Sequence, residues 1–171
     1  MASMLRTYAE LRHVTAIPAG IPASKAIQLL HDHEFFLSCD PHMIKFEAMP
    51  TPSDPEPTVP DEREIDPIAP AKIYSVTDRV HTLPAGLWDS DVVSTCEYFD
   101  LEDGLFVRLQ SPMSVVMETV WQIKKAEDGT CELVEDIVIK CSRFLIGVVK
   151  SACESGWKGV HGKIIEKLKG P

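Results

Sequence analysis

Hydrophobic and polar positions alternate with a period of two along most of the chain, and the period becomes helical near the start and at the end. Residues 5–17 read as a first strand that ends at IPAGIP. Pro22 then opens a helix, as proline does in a first turn, and Ala26, Ile27, Leu29 and Leu30 give it an apolar face. HDHEFFLSCDP continues as a second short helical piece that stops before Pro41. In MIKFEAM, Ile44 and Phe46 point one way and Lys45 and Glu47 the other. Further strands follow over 72–83, in VVSTCEYF and in LFVRLQS, the last two joined by DLEDG with Gly104 available for a positive φ. SVVMETVWQIKK leads through AEDG to TCELVEDIVIKC, so the strands form an antiparallel meander. The end is helical, with Ser142 as N-cap and a stripe of Leu145, Val149, Cys153, Gly156, Val160 and Ile164. Arg143, Lys150, Glu154, Lys158 and His161 fall on the opposite side of this helix, which should run for roughly seven turns.

One segment breaks the pattern. Residues 50–70, PTPSDPEPTVPDEREIDPIAP, hold seven of the chain's thirteen prolines and six acidic residues. Such a stretch forms neither a helix nor an inner strand. It reads as a long extended loop inserted into a single domain spanning 1–171, either a disordered insertion or a lid over a pocket mouth. The remaining order is strand, two short helices, about six strands and a long helix, an α+β pattern. An antiparallel sheet of that size curls, and the C-terminal helix is the natural cover for its concave face. The space between them is a natural ligand cavity.

Composition narrows the function. With 171 residues and 44% hydrophobic positions the chain can bury one real core. A formal net charge of −9 without a Lys/Arg cluster argues against nucleic acid and against anionic membranes. MASMLRTYAELRH lacks an apolar secretory core and no run is long enough to span a bilayer, so a cytoplasmic protein is expected. The five cysteines show no C-x-x-C pair and read as buried free thiols, and no histidine set has metal-ligand spacing.

The alternation also names a cavity wall. Val107 and Leu109 share a face with Cys96, and with Tyr98 in the hairpin. Met117, Thr119 and Trp121 come from the next strand, and Leu133, Glu135 and Ile137 from the last. Tyr74 and Val76 share a phase that also places Asp78 inward. Val149 and Cys153 face the wall from the helix, and Trp88 follows a turn at its rim. Glu135 is the out-of-pattern residue, a carboxylate in an apolar strand face. Burial raises a carboxyl group toward neutrality and makes it a general acid or base, with Tyr74 or Tyr98 as an orienting hydroxyl. Alternatively Glu135 pairs with an arginine or caps a buried hydroxyl. For Asp78 a cross-strand salt bridge to Arg79 or Arg108 is the favoured role, while Glu97 and Arg108 should pair in solvent. His31 and His33 sit where the short helices meet, and a catalytic His31 near the cavity entrance fits there.

The stretches RHVTAIPAGIPASKAIQLLHDHEFF, YSVTDRVHTLPAGLW and VRLQSPMSVVMETVWQI after an EDG turn, with the final helix, resemble a family of small fungal START-like proteins of unknown function. They belong to the helix-grip superfamily that includes polyketide cyclases and the birch-pollen allergen. The resemblance covers nearly the whole chain apart from the proline-rich insertion. It implies a curved antiparallel sheet of about six to seven strands around a long C-terminal helix, with a cavity for an apolar metabolite. Some members of the superfamily carry ligands, and others are cofactor-independent cyclases, aromatases or dehydratases. No catalytic motif is shared across it. The expectation is a cofactor-free cyclase or isomerase of fungal secondary metabolism, monomeric or homodimeric, with a non-catalytic lipid or sterol carrier as the alternative.

Overall fold

A computed structural model describes residues 5–81 and 89–170. The elements follow the order β1 (Arg6–Ala16), α1 (Ala23–His31), α2 (His33–Ser38), β2 (Met43–Met49), β3 (Lys72–His81), β4 (Asp89–Leu101), β5 (Gly104–Ser111), β6 (Val115–Lys125), β7 (Cys131–Ser142) and α3 (Ile146–Lys169). Seven strands form one antiparallel sheet in the order β1-β7-β6-β5-β4-β3-β2. The chain's first strand is therefore clasped by its last, and α3 leaves from β7 directly onto the concave face. α3 lies against β1 and β7, and α1 against β5 and β6.

The inward phase is the one that period two predicts, but Tyr98, Trp121 and Leu133, expected in a cavity wall, are core residues because the helices pack directly on them. Leu105, Trp121, Leu133 and Tyr98 are buried against Leu30 and Phe36 of the short helices and Ile164 and Leu168 of α3. Gly104 is needed for close approach and not for a positive φ: a Cβ there would collide with the backbone carbonyl of Trp121. The left-handed turn position is instead Gly129, at φ 83°, between β6 and β7. Around Ile44 the β2–β3 register shifts, so Ile44 turns outward while Met43 and Phe46 stay half-buried.

Two local expectations at α3 are corrected. Ser142 ends β7 and its Oγ accepts the Phe144 N–H, while the helix starts later, with Leu145 as its N-cap. The buried face of α3 comprises His161, Ile164, Ile165 and Leu168, so His161 is inside, 1% exposed. Counting back in steps of four from Ile165 gives His161, Trp157 and Cys153 on one face.

The proline-rich segment lies on the convex face, not over the mouth of the concave side. It covers a second core of Ala71, Ile73, Phe99, Leu101, Phe106 and Val120, against which Val59 and Ile65 pack. This strap is tied down by backbone acceptors and donors. The Arg108 guanidinium donates to the Thr58 carbonyl, Arg63 donates to the Glu118 carbonyl, and Ile68 N–H donates to Asp100 O. The Glu97–Arg108 pair forms across β4 and β5 as the register requires, but the strap half-buries it.

Candidate active site

Two rows of inward side chains cross the sheet. One runs Tyr98, Val107, Thr119, Ile137 and the other Cys96, Leu109, Met117, Ile139, with Tyr74 beside Cys96. Helices fill both ends. The C-terminal half of α3 with α1 and α2 covers Leu105, Trp121 and Leu133, and the first turns of α3 bring Val149 and Cys153 against Ile137, Ile139 and Met117. Between the two ends Val107, Leu109, Met117, Val149 and Cys153 remain half-buried, while Val76, Cys96 and Thr119 are buried. The result is an apolar strip of the concave face, a groove only in that the helices leave these side chains partly uncovered. Trp88, expected at its rim, lies outside the described residues.

Asp78 stands on the same phase of β3 as Tyr74 and Val76. The arginines expected to neutralise it are engaged elsewhere: Arg79 pairs with Asp91 at 3.2 Å, and Arg108 with Glu97. Asp78 Oδ1 is buried and has no hydrogen-bond partner among the described residues. Burial, and then the nearby Asp40 carboxylate, push the Asp78 carboxyl up to about 6, against a smaller opposing effect of His42. Burial, then Asp78 and Asp40, push the neighbouring Cys96 thiol up to about 12, so it is an inert wall residue.

A second polar set closes the α2 end of the groove. His33 Nε2 lies 2.7 Å from Asp100 Oδ1, and His33 Nδ1 lies 3.1 Å from the Tyr74 hydroxyl. A carboxylate accepts only, so Nε2 carries the proton and Nδ1 accepts from the Tyr74 O–H. Burial, opposed by the bond to Asp100, lowers the His33 pKa, which fits the neutral ring this pattern needs. The Tyr98 ring meets Tyr74 edge-on at 5.1 Å and His33 at 4.9 Å. Burial, then Glu34 and Asp100, raise the Tyr74 phenol. His33 and Asp100 escape a reading by sequence spacing because they meet across α2 and β4.

Glu135 points inward as its phase predicts, but its Oε2 is already taken. His13 Nδ1 approaches it at 2.8 Å and His161 Nε2 at 3.3 Å, all three being buried. Thr15 Oγ lies 2.7 Å from the other nitrogen of His161, and Trp157 stacks on His13 at 4.5 Å and 4°. This is a clamp joining β1, β7 and α3. The signal for His13 was its inward phase with Leu11 and Thr15 on β1. Both imidazoles are bonded to the one carboxylate oxygen, and among the described residues no group of three His, Cys, Asp or Glu is arranged to hold a metal ion.

His31 is corrected. Its Nε2 lies 2.8 Å from the Gly104 carbonyl and 3.1 Å from that of Leu101, so it staples α1 to the β4–β5 turn and does not face the groove as an acid or base. On the convex face a cleft of about 590 Å³ between the strap and β1 is lined by Arg6, Arg63, Glu118 and Lys140. Its buried Glu118 carboxylate is neutralised by Lys140 at 3.2 Å and Arg108 at 3.5 Å.

A family model, Domain of unknown function (DUF7053), matches residues 6–170. The chain belongs to this family. No curated protein sequence matches it. Solved structures show what fold DUF7053 takes here. The aromatase/cyclase Zhui from Streptomyces sp. R1128 aligns at TM-score 0.61 and 11% identity over 96% of this chain and 94% of that one. Norcoclaurine synthase from Thalictrum flavum, in complex with dopamine and hydroxybenzaldehyde, aligns at TM-score 0.58 and 11% identity over 96% of this chain and 88% of its own. Human STARD10 aligns at 0.53 and 14% identity over 94% of this chain and 62% of its own. This DUF7053 chain therefore has the START-like helix-grip fold. Among its described residues no helix is long and apolar enough to cross a membrane.

Proposed function

We propose that the concave groove binds a small apolar molecule and that the chain is a cofactor-independent cyclase or isomerase working by general acid/base catalysis. The observation that carries this reading is Asp78, an inward carboxyl with one buried, unpartnered oxygen, set in an apolar wall and poised near neutrality. In its neutral form it gives a proton to the bound molecule, and in its ionised form it takes one from a C–H beside a carbonyl. Tyr98 orients the substrate oxygen, and Tyr74, backed by His33 and Asp100, exchanges a proton with it. The aromatase/cyclase among the structural neighbours supports a ring-closing reaction. The sequence resemblance to small fungal START-like proteins supports a polyketide-like or terpenoid-like intermediate of fungal secondary metabolism as substrate.

Native mass spectrometry of the purified protein tests the groove by revealing a co-purifying molecule. That molecule is then incubated in D2O with the wild type and with Asp78→Asn. Deuterium entering a carbon position with the wild type alone is the expected result. No incorporation above the variant removes the enzyme reading.

One observation favours a non-catalytic carrier of lipid, sterol or another apolar metabolite: Glu135, the carboxylate in the middle of the inner face, is consumed by His13 and His161. In that case the co-purifying molecule is found and exchanges nothing.

A further inference from the structure

We infer that the occupant of the groove carries a protonated amine on an apolar, ring-sized skeleton, and that Asp78 receives the ammonium group. This rests on the concave groove being the binding site and adds the chemical class of what it holds: Asp78 is then the counter-ion, and proton transfer falls to Tyr74, backed by His33 and Asp100. Among the described residues the buried Asp78 Oδ1 has no donor, and a buried acceptor left unpaired is costly until a ligand supplies one. Among the described residues no lysine or arginine pairs with Asp78, and the effect of His42 is smaller than that of Asp40. Arg79 and Arg108 are paired with Asp91 and Glu97, and the lysines that share the inward phase, Lys72 and Lys125, are exposed at strand ends.

The surroundings favour a cation over a neutral alcohol. Asp40 faces Asp78 from the loop after α2, and its charge also raises Cys96, Tyr98 and Cys153, each beyond the larger effect of burial. Two carboxyl groups, Asp78 and Asp40, thus face this part of the groove, with His42 as the smaller opposing charge at Asp78, which favours a cation there over an anion. Tyr74, Tyr98 and Phe46 pack edge-to-face at 5.1 and 6.2 Å, and the half-buried Phe46 offers the apolar skeleton a stacking surface and the ammonium a cation–π contact. A hydroxyl would fill the hydrogen bond at Oδ1 but would leave the Asp78–Asp40 repulsion in place.

Isothermal titration calorimetry with three matched probes tests the inference: 2-phenylethylamine, 2-phenylethanol and 3-phenylpropionate. At pH 7.5 the amine should bind roughly tenfold tighter than the alcohol or more, and the carboxylate should not bind. Asp78→Asn should lower amine affinity to that of the alcohol and leave the alcohol unchanged. A further readout separates this from a general loss of packing. At pH 5.5 amine binding should release a proton, seen as a buffer-dependent enthalpy, because pairing ionises the Asp78 carboxyl. The titratable groups facing it are Asp40 and His42 from the loop, Tyr74 on its own strand and Cys96 and Tyr98 on β4. That release should vanish at pH 8 and in the variant. Equal affinity for all three probes, no binding of any, or an amine preference that survives Asp78→Asn overturns the inference. Deuterium exchange by the wild type alone, alongside equal probe binding, would remove the amine and keep the acid/base reading.

Discussion

His13 and Glu135 sit directly opposite each other in the β1–β7 register, and their side chains meet at 2.8 Å in a site where both are more than nine-tenths buried. Because His161 of α3 shares the same carboxylate oxygen, this pair fastens the covering helix to the sheet. Removing the acceptor leaves two buried imidazoles without it. Glu135→Ala should destabilise the fold by about 3 kcal/mol, and Glu135→Gln, which keeps a carbonyl acceptor, by less. Urea unfolding measures both. A loss within about 0.5 kcal/mol for the alanine variant would show that the clamp does not hold α3.

Asp78 should make the protein less stable as pH rises. Its carboxyl titrates near 6 in the folded chain, above an unfolded aspartate, so the folded state binds more protons between those values. The stabilisation from the neutral carboxyl is complete below the unfolded pKa and is lost as pH climbs through about 6. Asp78→Asn should therefore raise Tm at pH 7.5 and change it little at pH 4. A variant that melts below wild type at pH 7.5 would mean that Asp78 has a partner in the folded protein.

His33 acts in the opposite sense. Burial lowers its pKa, so the neutral ring is bound in the folded state and acid must charge it, which lowers stability below the unfolded histidine value of about 6.5. Nitrogen-15 spectra at pH 7.5 should show the His33 ring neutral with the proton on Nε2. Asp100→Asn should disturb that tautomer, and Tyr74→Phe should cost about 1 kcal/mol while preserving it. A proton found on Nδ1 would reverse the direction of the Tyr74 bond.

The strap has a measurable role. Phe106→Ala, in the core beneath it, should cost about 3–5 kcal/mol. Deleting residues 52–66 should expose Phe99, Phe106 and Val120 and increase binding of the hydrophobic dye ANS. Unchanged dye binding in the deletion would mean that another segment covers the convex face.

Period-two alternation made the strands and the inward wall legible, and the long apolar tail announced the covering helix, because both depend only on positions near in sequence. Glu135 could be seen as inward for the same reason. Its partners could not, since His13 is brought to it by the pairing of the first strand with the last. His161 lies inside because the buried face of α3 is displaced by about one helical position from the apolar stripe in the sequence. For Asp78 strand pairing suggests Arg79 or Arg108 as a cross-strand partner, but the register gives those arginines to Asp91 and Glu97. The strap was the hardest feature. Its prolines exclude regular structure, yet Val59 and Ile65 still have an apolar surface to meet, which no local pattern reveals.

The strap has a mechanical consequence for the groove. Arg108 on β5 ties Glu97 of β4 to the strap's Thr58 carbonyl, and Arg63 ties the strap to β6. The strands so bridged are those whose opposite faces carry Tyr98, Val107 and Thr119. Bending them to admit a bulkier guest would stretch a tether on the far side. The strap therefore braces β4, β5 and β6 from the side away from the helices, through contacts that involve none of the inward side chains.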